Sequence, residues 1–226
     1  MIWALNNEKN RNRFVINWLN SLPAGKSILD AGAGIQRYKQ HANHLNYTSQ
    51  DFGAYEGEEL FANKVVDEWN SKDCDILCDI TSIPVEDNSY DYILCTEVFE
   101  HLPAPDKALK EFARILKPSG KLLLTAPFRC LYHLEPYFFY SGFSTYWYQH
   151  FSSLNNLQIE LIEPNGNWAT DIAQEVLRAT TLGSPIQKLI AKFMALPFYL
   201  YLYFLDLKRE KMPQSCWGYH LVLSKE

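Results

Sequence analysis

Three aspartates, two alternate glycines and one acid-rich turn are the residues of this chain whose types and spacing could do chemistry. Gly32 and Gly34 close an apolar run that carries an acid, Ser27-Ile28-Leu29-Asp30-Ala31-Gly32-Ala33-Gly34. Glycines that take positive φ beside a strand-terminal carboxylate let a ligand approach bare backbone with an acceptor next to it. Asp51 lies 21 residues beyond Asp30, where an acid accepting hydrogen bonds from two vicinal ribose hydroxyls is expected. Asp79 closes a further apolar run, Asp75-Ile76-Leu77-Cys78-Asp79-Ile80. Each acid alone reads as a helix cap or turn residue. Three at successive strand ends are harder to explain that way. The stretch Glu97-Val98-Phe99-Glu100-His101 adds groups that move protons or bind cations, and in a helical turn 97, 100 and 101 would share a face. Three uses stay open for it: the structural start of a helix, His101 as a general base, or a divalent-cation site completed by His133 or His150. No metal is assigned.

These residues need elements to hold them in register. Phe14, Val15, Trp18 and Leu19 predict a helix over 8–21, ended by Pro23 and Gly25 before the strand that leads to Asp30. Residues 35–45 are expected to form the first crossover helix, 47–52 a second strand, 56–70 a helix and 75–80 a third strand. Tyr90-Asp91-Tyr92-Ile93-Leu94-Cys95 reads as a fourth strand. The stretch 104–116 is a helix with Ala108, Phe112, Ile115 and Leu116 on one face, and after Lys117-Pro118-Ser119-Gly120 residues 121–127 form a fifth strand. Strands alternating with helices at this rhythm predict an α/β fold, a doubly wound, mainly parallel sheet whose strands share one carboxyl edge. Asp30, Asp51 and Asp79 would then line that edge together.

The bulk properties narrow the class. A chain of 226 residues suits one domain with elaborations. Twenty-six acids against 21 bases, with no run of Lys or Arg, argue against a nucleic-acid surface. Five cysteines without paired spacing read as reduced thiols rather than a disulfide framework or zinc site. Asn6, Asn7, Glu8 and Lys9 close behind Trp3 do not read as a signal peptide, so a cytoplasmic location is expected, extending to the inner face of the membrane. A dinucleotide would want glycine three residues after Gly34; Arg37 stands there and disfavours a nicotinamide oxidoreductase.

ILDAGAG, Asp51, CDITSIPVEDNSYDYILCTEVFEHL (78–102) and ALKEFARILKPSGKLLLTAP (108–127), in that order, resemble the class I S-adenosylmethionine-dependent methyltransferases, and among them the group typified by quinone-biosynthesis enzymes. The resemblance covers roughly residues 25–128. It implies S-adenosyl-L-methionine as cofactor, with Asp30, Ala31, Gly32 and Gly34 around its methionine end and Asp51 on the ribose. Phe52 would lie against the adenine, Asp79 and the Ile80 amide would bond it, and Thr96 and Glu97 would line the floor beneath the sulfonium. Glu97, His101 and His133 are the candidate catalytic residues. Gln36 stands where the family often has a third alternate glycine. The fold implied is Rossmann-like and seven-stranded, with 157–164 and 218–223 supplying the last two strands and the whole chain, 1–226, forming one methyltransferase domain. A methyltransferase-like partner that keeps the fold without turnover is the alternative.

Two segments, 128–156 and 166–215, are read as cap or elaboration. Residues 132–151 hold ten aromatics in twenty positions, most of them expected to pack on one another in a cap after strand five. Tyr137, Tyr140 and Trp147 are the rings expected to stack on substrate. A looser resemblance of this stretch to methyltransferases of glycan assembly implies a small-molecule or glycan acceptor methylated at a hydroxyl. The run 186–207 has an uncharged core of 13 residues interrupted by Pro197, too short to span. It could pack on its own domain, pair with a second copy as a homodimer, or lie on a membrane surface, since Lys188 and Lys192 precede its core and Lys208, Arg209 and Lys211 follow.

Overall fold

Alternation along the central strands decides the layers. Ile28, Leu94 and Leu123 point to one side of the sheet, where Val15 and Leu19 of helix α1 (Asn7–Ser21) cover them. Leu29, Ile93, Leu122 and Leu124 point to the other, against Ala108, Leu109, Phe112 and Ile115 of α2 (Pro105–Ile115). Burial on both faces is what a parallel sheet requires. The structure, a computed structural model, describes residues 5–53, 73–207 and 215–226.

The strands β1 (Ser27–Ala31), β2 (Asn46–Asp51), β3 (Ile76–Leu77), β4 (Tyr90–Thr96), β5 (Leu116–Pro127), β6 (Leu157–Asn165) and β7 (Gly218–Lys225) form one sheet, in the order β3-β2-β1-β4-β5-β7-β6. The first five run parallel, and β7 is antiparallel to both β5 and β6. This is the expected doubly wound α/β arrangement. The carboxyl ends of β1, β2 and β4 meet at one edge, and the strand order reverses between β1 and β4, where such sheets open a crevice.

Three local expectations need correction. Residues 35–45 are not an α-helix: Gly34 and Gln36 both adopt left-handed backbone (φ 52° and 54°), which breaks an i→i−4 ladder before it starts. The segment turns through i→i−3 bonds, Gln36 N to Ala33 O and Lys39 N to Gln36 O among them, with one 3-10 turn at Lys39–His41. The third strand is two residues long rather than six. The Asp75 carboxylate accepts from the Ser49 amide and hydroxyl, and Asp79 Oδ1 accepts from the Thr81 amide and hydroxyl; these side chains divert the backbone at both ends of β3. Strand β5 starts at Leu116, five residues early, with a register irregularity opposite Tyr90 and Tyr92 absorbing Lys117-Pro118-Ser119-Gly120. The helix expected over 56–70 lies outside the described residues.

After β5 the chain leaves the sheet as a loop, 128–144, and returns through α3 (Thr145–Leu154), whose first turn is capped by the Ser144 hydroxyl. Phe99, Phe143, Trp147, Tyr148 and Phe151 pack edge to face or tilted with centroids 4.7–6.2 Å apart, so four of the segment's ten rings join the core, while Tyr132, Phe139, Tyr140 and Tyr146 are exposed, fewer in the core than expected. Between β6 and β7 stand α4 (Trp168–Ala179), with an Asn167–Thr170 capping box, and the long helix α5 (Pro185–Leu207).

Candidate functional site

The glycine turn after β1 is built to carry no side chain. Gly32 sits at φ 70°, and a Cβ there would stand 2.5 Å from Val98 Cγ2. Its amide donates to the Gln50 carbonyl at 2.8 Å, and the Gly34 amide donates to Asp51 Oδ2 at 3.0 Å. Asp51, buried at the end of β2, takes a second amide bond at Oδ1 from Gly53 (3.1 Å). The carboxylate thus ties the two loops together, and each oxygen keeps a further lone pair for a ligand.

Two cavities open side by side along the sheet edge and share part of their lining. One, of about 460 Å³, is lined by Asp51, Phe52, Asp79, Ile80, Leu102 and Tyr137 among others. The second, of about 420 Å³, holds Asp30, Arg11, Glu100, His133, Arg129 and Trp217. Gly32, Thr96, Glu97, His101 and Leu134 line both. The first is mainly apolar with carboxylates at one side, the shape and chemistry that suit a nucleoside. The second is ringed by charge and suits a polar acceptor.

The expected cofactor residues therefore divide. Asp51, Phe52, Asp79, Ile80 and Gly32 surround the first cavity, and Thr96 and Glu97 stand at the junction. Asp79 does so from a turn beyond β3, not from a strand end. Asp30 lines only the second cavity, where it accepts from the Tyr47 hydroxyl at 2.6 Å, and burial pushes its carboxyl up to about 6. Ala31 is buried in the core under the turn, and Gly34 reaches the site through its amide bond to Asp51.

Among the candidate catalytic residues, Glu97 adopts left-handed backbone (φ 54°), and the turn after it is 3-10 at Phe99–His101, so the α-helical face expected of 97, 100 and 101 does not form. Its carboxylate is occupied: Oε2 pairs with Arg11 at 2.7 Å and Oε1 accepts from the Thr125 hydroxyl at 3.0 Å. Both of its oxygens are therefore engaged within the protein. His101 Nδ1 lies 2.6 Å from the Tyr137 carbonyl, and His133 Nδ1 lies 2.8 Å from the Leu131 carbonyl. Since a carbonyl only accepts, each ring carries its proton on Nδ1 and a bare lone pair on Nε2. Burial holds the His101 ring down at about 4, which keeps it neutral near pH 7.

Two further side chains complete the second cavity, Glu100 from the acid-rich turn and Arg11, which the sequence did not flag. Arg11 reaches over from α1, and Glu100 is buried, with burial and the neighbouring Glu97 charge pushing its carboxyl well above the usual range. The order Glu97-x-x-Glu100 was the one available signal for Glu100; nothing in α1 marked Arg11. The substrate-stacking expectation is corrected. Tyr137 faces the nucleoside-shaped cavity, edge-on to Phe52 at 5.0 Å, while neither Tyr140 nor Trp147 lines either of these two cavities. Trp147 is held in the ring cluster. His150, on α3, is exposed, packs edge-on to Phe151 and lines neither cavity.

Residues 29–124 match a family model described as a methyltransferase domain. Phosphoethanolamine N-methyltransferase 2 of Caenorhabditis elegans is 26% identical over 119 residues, 49% of this chain and 26% of that protein. Demethylmenaquinone methyltransferase of Renibacterium salmoninarum is 28% identical over 130 residues, 53% of this chain and 52% of that protein. The chain thus spans about a quarter of the first relative and about half of the second. Among solved structures, geranyl diphosphate methyltransferase in complex with SAM shares the fold with a TM-score of 0.57 over 96% of this chain and 85% of that one, at 15% identity.

Proposed function

We infer, for a chain whose residues 29–124 belong to the methyltransferase-domain family and whose sheet is that of the class I methyltransferases, that it transfers a methyl group from S-adenosyl-L-methionine to a hydroxyl of a polar small molecule or glycan. The observation that carries this reading is the pair of adjacent cavities, one mainly apolar with carboxylates at one side and one ringed by polar groups, with Gly32, Thr96 and Glu97 lining both.

The residues present fit the cofactor. Asp51 would take the ribose hydroxyls on its remaining lone pairs. Phe52 and Ile80 would wall the adenine, Asp79 would accept from its amine, and Gly32 would leave room for the sulfur-bearing tail. When bound, S-adenosylmethionine supplies a methyl group on a positive sulfur, which departs as a neutral thioether. The chain's own work is positional. Arg11 and Thr125 fix Glu97 at the junction, and His101 offers its Nε2 lone pair beside it to orient a hydroxyl and take its proton as the carbon–oxygen bond forms. Holding the two reactants in line supplies several kcal/mol, on the order of 7 in favourable cases. Labelled-methyl transfer into a panel of sugars, glycan intermediates, amines and carboxylates tests the reading. Label in hydroxyl-bearing acceptors is expected; label confined to amines or carboxylates overturns the acceptor class, and cofactor binding with no transfer to any acceptor favours the non-catalytic partner.

The same reading puts the domain at a lipid surface, and α5 carries that part. Lys188, Ala191, Ala195, Tyr199, Leu202 and Asp206 recur at helical spacing as its covered or half-covered stripe, while Ile186, Phe193 and Met194 are more than 70% exposed and most of the remaining circumference is bare and apolar. So large an apolar surface is not stable in water. The stretch Pro185–Asp206 is, by length and composition, long and apolar enough to cross a membrane. Its two ends are nevertheless tied to one helix: α5 follows α4 after five residues, and Leu202 packs on Ala169 and Ala173 while Asn167 bonds Asp206. Both ends therefore stay on one side, and α5 lies in the interface with Lys188 and Lys192 toward anionic headgroups. The protein is expected to float with vesicles of phosphatidylcholine and phosphatidylglycerol, and Phe193→Glu combined with Ile190→Glu to abolish flotation. A wild-type protein that stays at the bottom of the gradient, or that forms a stable dimer hiding α5, contradicts this placement.

A further inference from the structure

Glu100, His101 and His133 each bring one ligand atom to within 4.8 Å of the others, at the floor of the polar cavity. The three residues come from two segments that fold onto each other. Glu100 and His101 belong to the 3-10 turn after β4, and His133 to the loop 128–144. The Phe139 and Tyr140 amides donate to the Glu100 carbonyl at 2.9 and 3.2 Å and pin that loop in place.

Once Glu100 gives up its proton, each of the three residues has a lone pair to offer this cluster. His101 Nε2 stands 3.8 Å from Glu100 Oε1. Both imidazoles spend their proton on a backbone carbonyl, Tyr137 O for His101 and Leu131 O for His133, which leaves Nε2 of each as the free ligand atom. Glu100 Oε2 is buried and has no hydrogen-bond partner among the described residues. A buried carboxyl oxygen with no hydrogen-bond partner is a position that a cation displacing the carboxyl proton would satisfy. Carbonyl-anchored histidines are also the arrangement in which imidazole binds a metal, because the anchor fixes tautomer and ring direction.

We propose that Glu100, His101 and His133 form a binding site for a divalent transition-metal ion such as Zn2+, Mn2+ or Fe2+. One carboxylate and two neutral imidazoles suit borderline cations and disfavour Mg2+ and Ca2+, which prefer all-oxygen shells. Three protein ligands leave positions open, and the cavity side of the cluster is where an acceptor hydroxyl would arrive. The inference rests on the methyl-transfer reading only for that last role: a hydroxyl bound to the cation loses its proton to solvent more readily, and its oxygen is held near the junction. In that state His101 acts as a ligand, and the cation takes over the activation otherwise given to its lone pair.

The test needs no turnover. Chelator-stripped protein, titrated with Co2+, is expected to bind one equivalent and to develop visible d–d bands that Zn2+ erases and Mg2+ does not. His133→Asn, a change in a cap loop that the fold can tolerate, is expected to weaken Co2+ binding at least tenfold, and Glu100→Gln to do the same. Calorimetry with S-adenosylhomocysteine on the same stripped samples reports the cofactor crevice separately, so loss of one reading is distinguishable from loss of the other. Absence of stoichiometric Co2+ and Zn2+ binding by the wild type, or equal Co2+ affinity in His133→Asn, overturns the proposal.

Discussion

Asp51→Ala is expected to lower the affinity for S-adenosylhomocysteine by two to three orders of magnitude. Two effects act together. The carboxylate would accept from both ribose hydroxyls, and a hydrogen bond to a charged group contributes about 1.5–3 kcal/mol. The same carboxylate holds the Gly34 and Gly53 amides at 3.0 and 3.1 Å, so alanine also releases the loop that shapes the crevice. Leaving the buried Gly34 amide unpartnered costs a further ~1–3 kcal/mol in stability, and the half-buried Gly53 amide less. Asp51→Asn separates the two effects. It keeps one acceptor for the loop, retains the volume, and is expected to lose only about tenfold in affinity. Calorimetry on both variants, with circular dichroism as the folding control, reads the difference. Undiminished affinity in folded Asp51→Ala would remove the ribose assignment.

The second large effect is expected at His101. Its ring lies at the junction of the two cavities, and its Nδ1 is already committed to Tyr137 O. His101→Asn should reduce kcat for methyl transfer by about 10²- to 10⁴-fold, the range that a positioned acid or base contributes. Affinity for S-adenosylhomocysteine should stay within a few fold, because Asp51, Phe52 and Asp79 are untouched. Single-turnover transfer of a labelled methyl group separates the chemical step from product release. A variant with kcat within twofold of wild type would exclude His101 from proton transfer and from holding the acceptor.

The sheet and its glycine turn were legible because their signals are local. An apolar run ending in Asp30 before Gly32 and Gly34, a ribose-spaced Asp51, and the strongly periodic 104–116 each state their own structure within a few residues. The features that escaped depend on contacts made at a distance. Residues 35–45 lack a helix-starting signal, and the positive φ of Gly34 and Gln36 comes from the turn binding back to Asp51. The six-residue third strand failed because Asp75 and Asp79 spend their side chains on Ser49 and Thr81. In the aromatic segment no period distinguishes rings facing a cavity from rings facing each other, so Tyr140 and Trp147 were misjudged. Arg11 joins the site only because α1 crosses above β4, a matter of packing that no motif encodes.

The proximity of Glu100 to His133 is likewise a product of the cap folding down. Sequence separated them by 33 positions and left His133 and His150 equivalent; the loop 128–144 brings one in and α3 carries the other away. That loop contributes to both cavities: His133 to the polar one, Tyr137 and Phe139 to the nucleoside-shaped one, and Leu134 to each.

The central claim is that the crevice between the glycine turn and Asp51, Phe52, Asp79 and Ile80 holds an adenosine. A crystal grown with S-adenosylhomocysteine tests it most directly. The account predicts the ribose on Asp51, the adenine between Phe52 and Ile80, and the sulfur beside Thr96 and Glu97, facing His101. Density for the ligand elsewhere, or an empty crevice at saturating nucleoside, would contradict it.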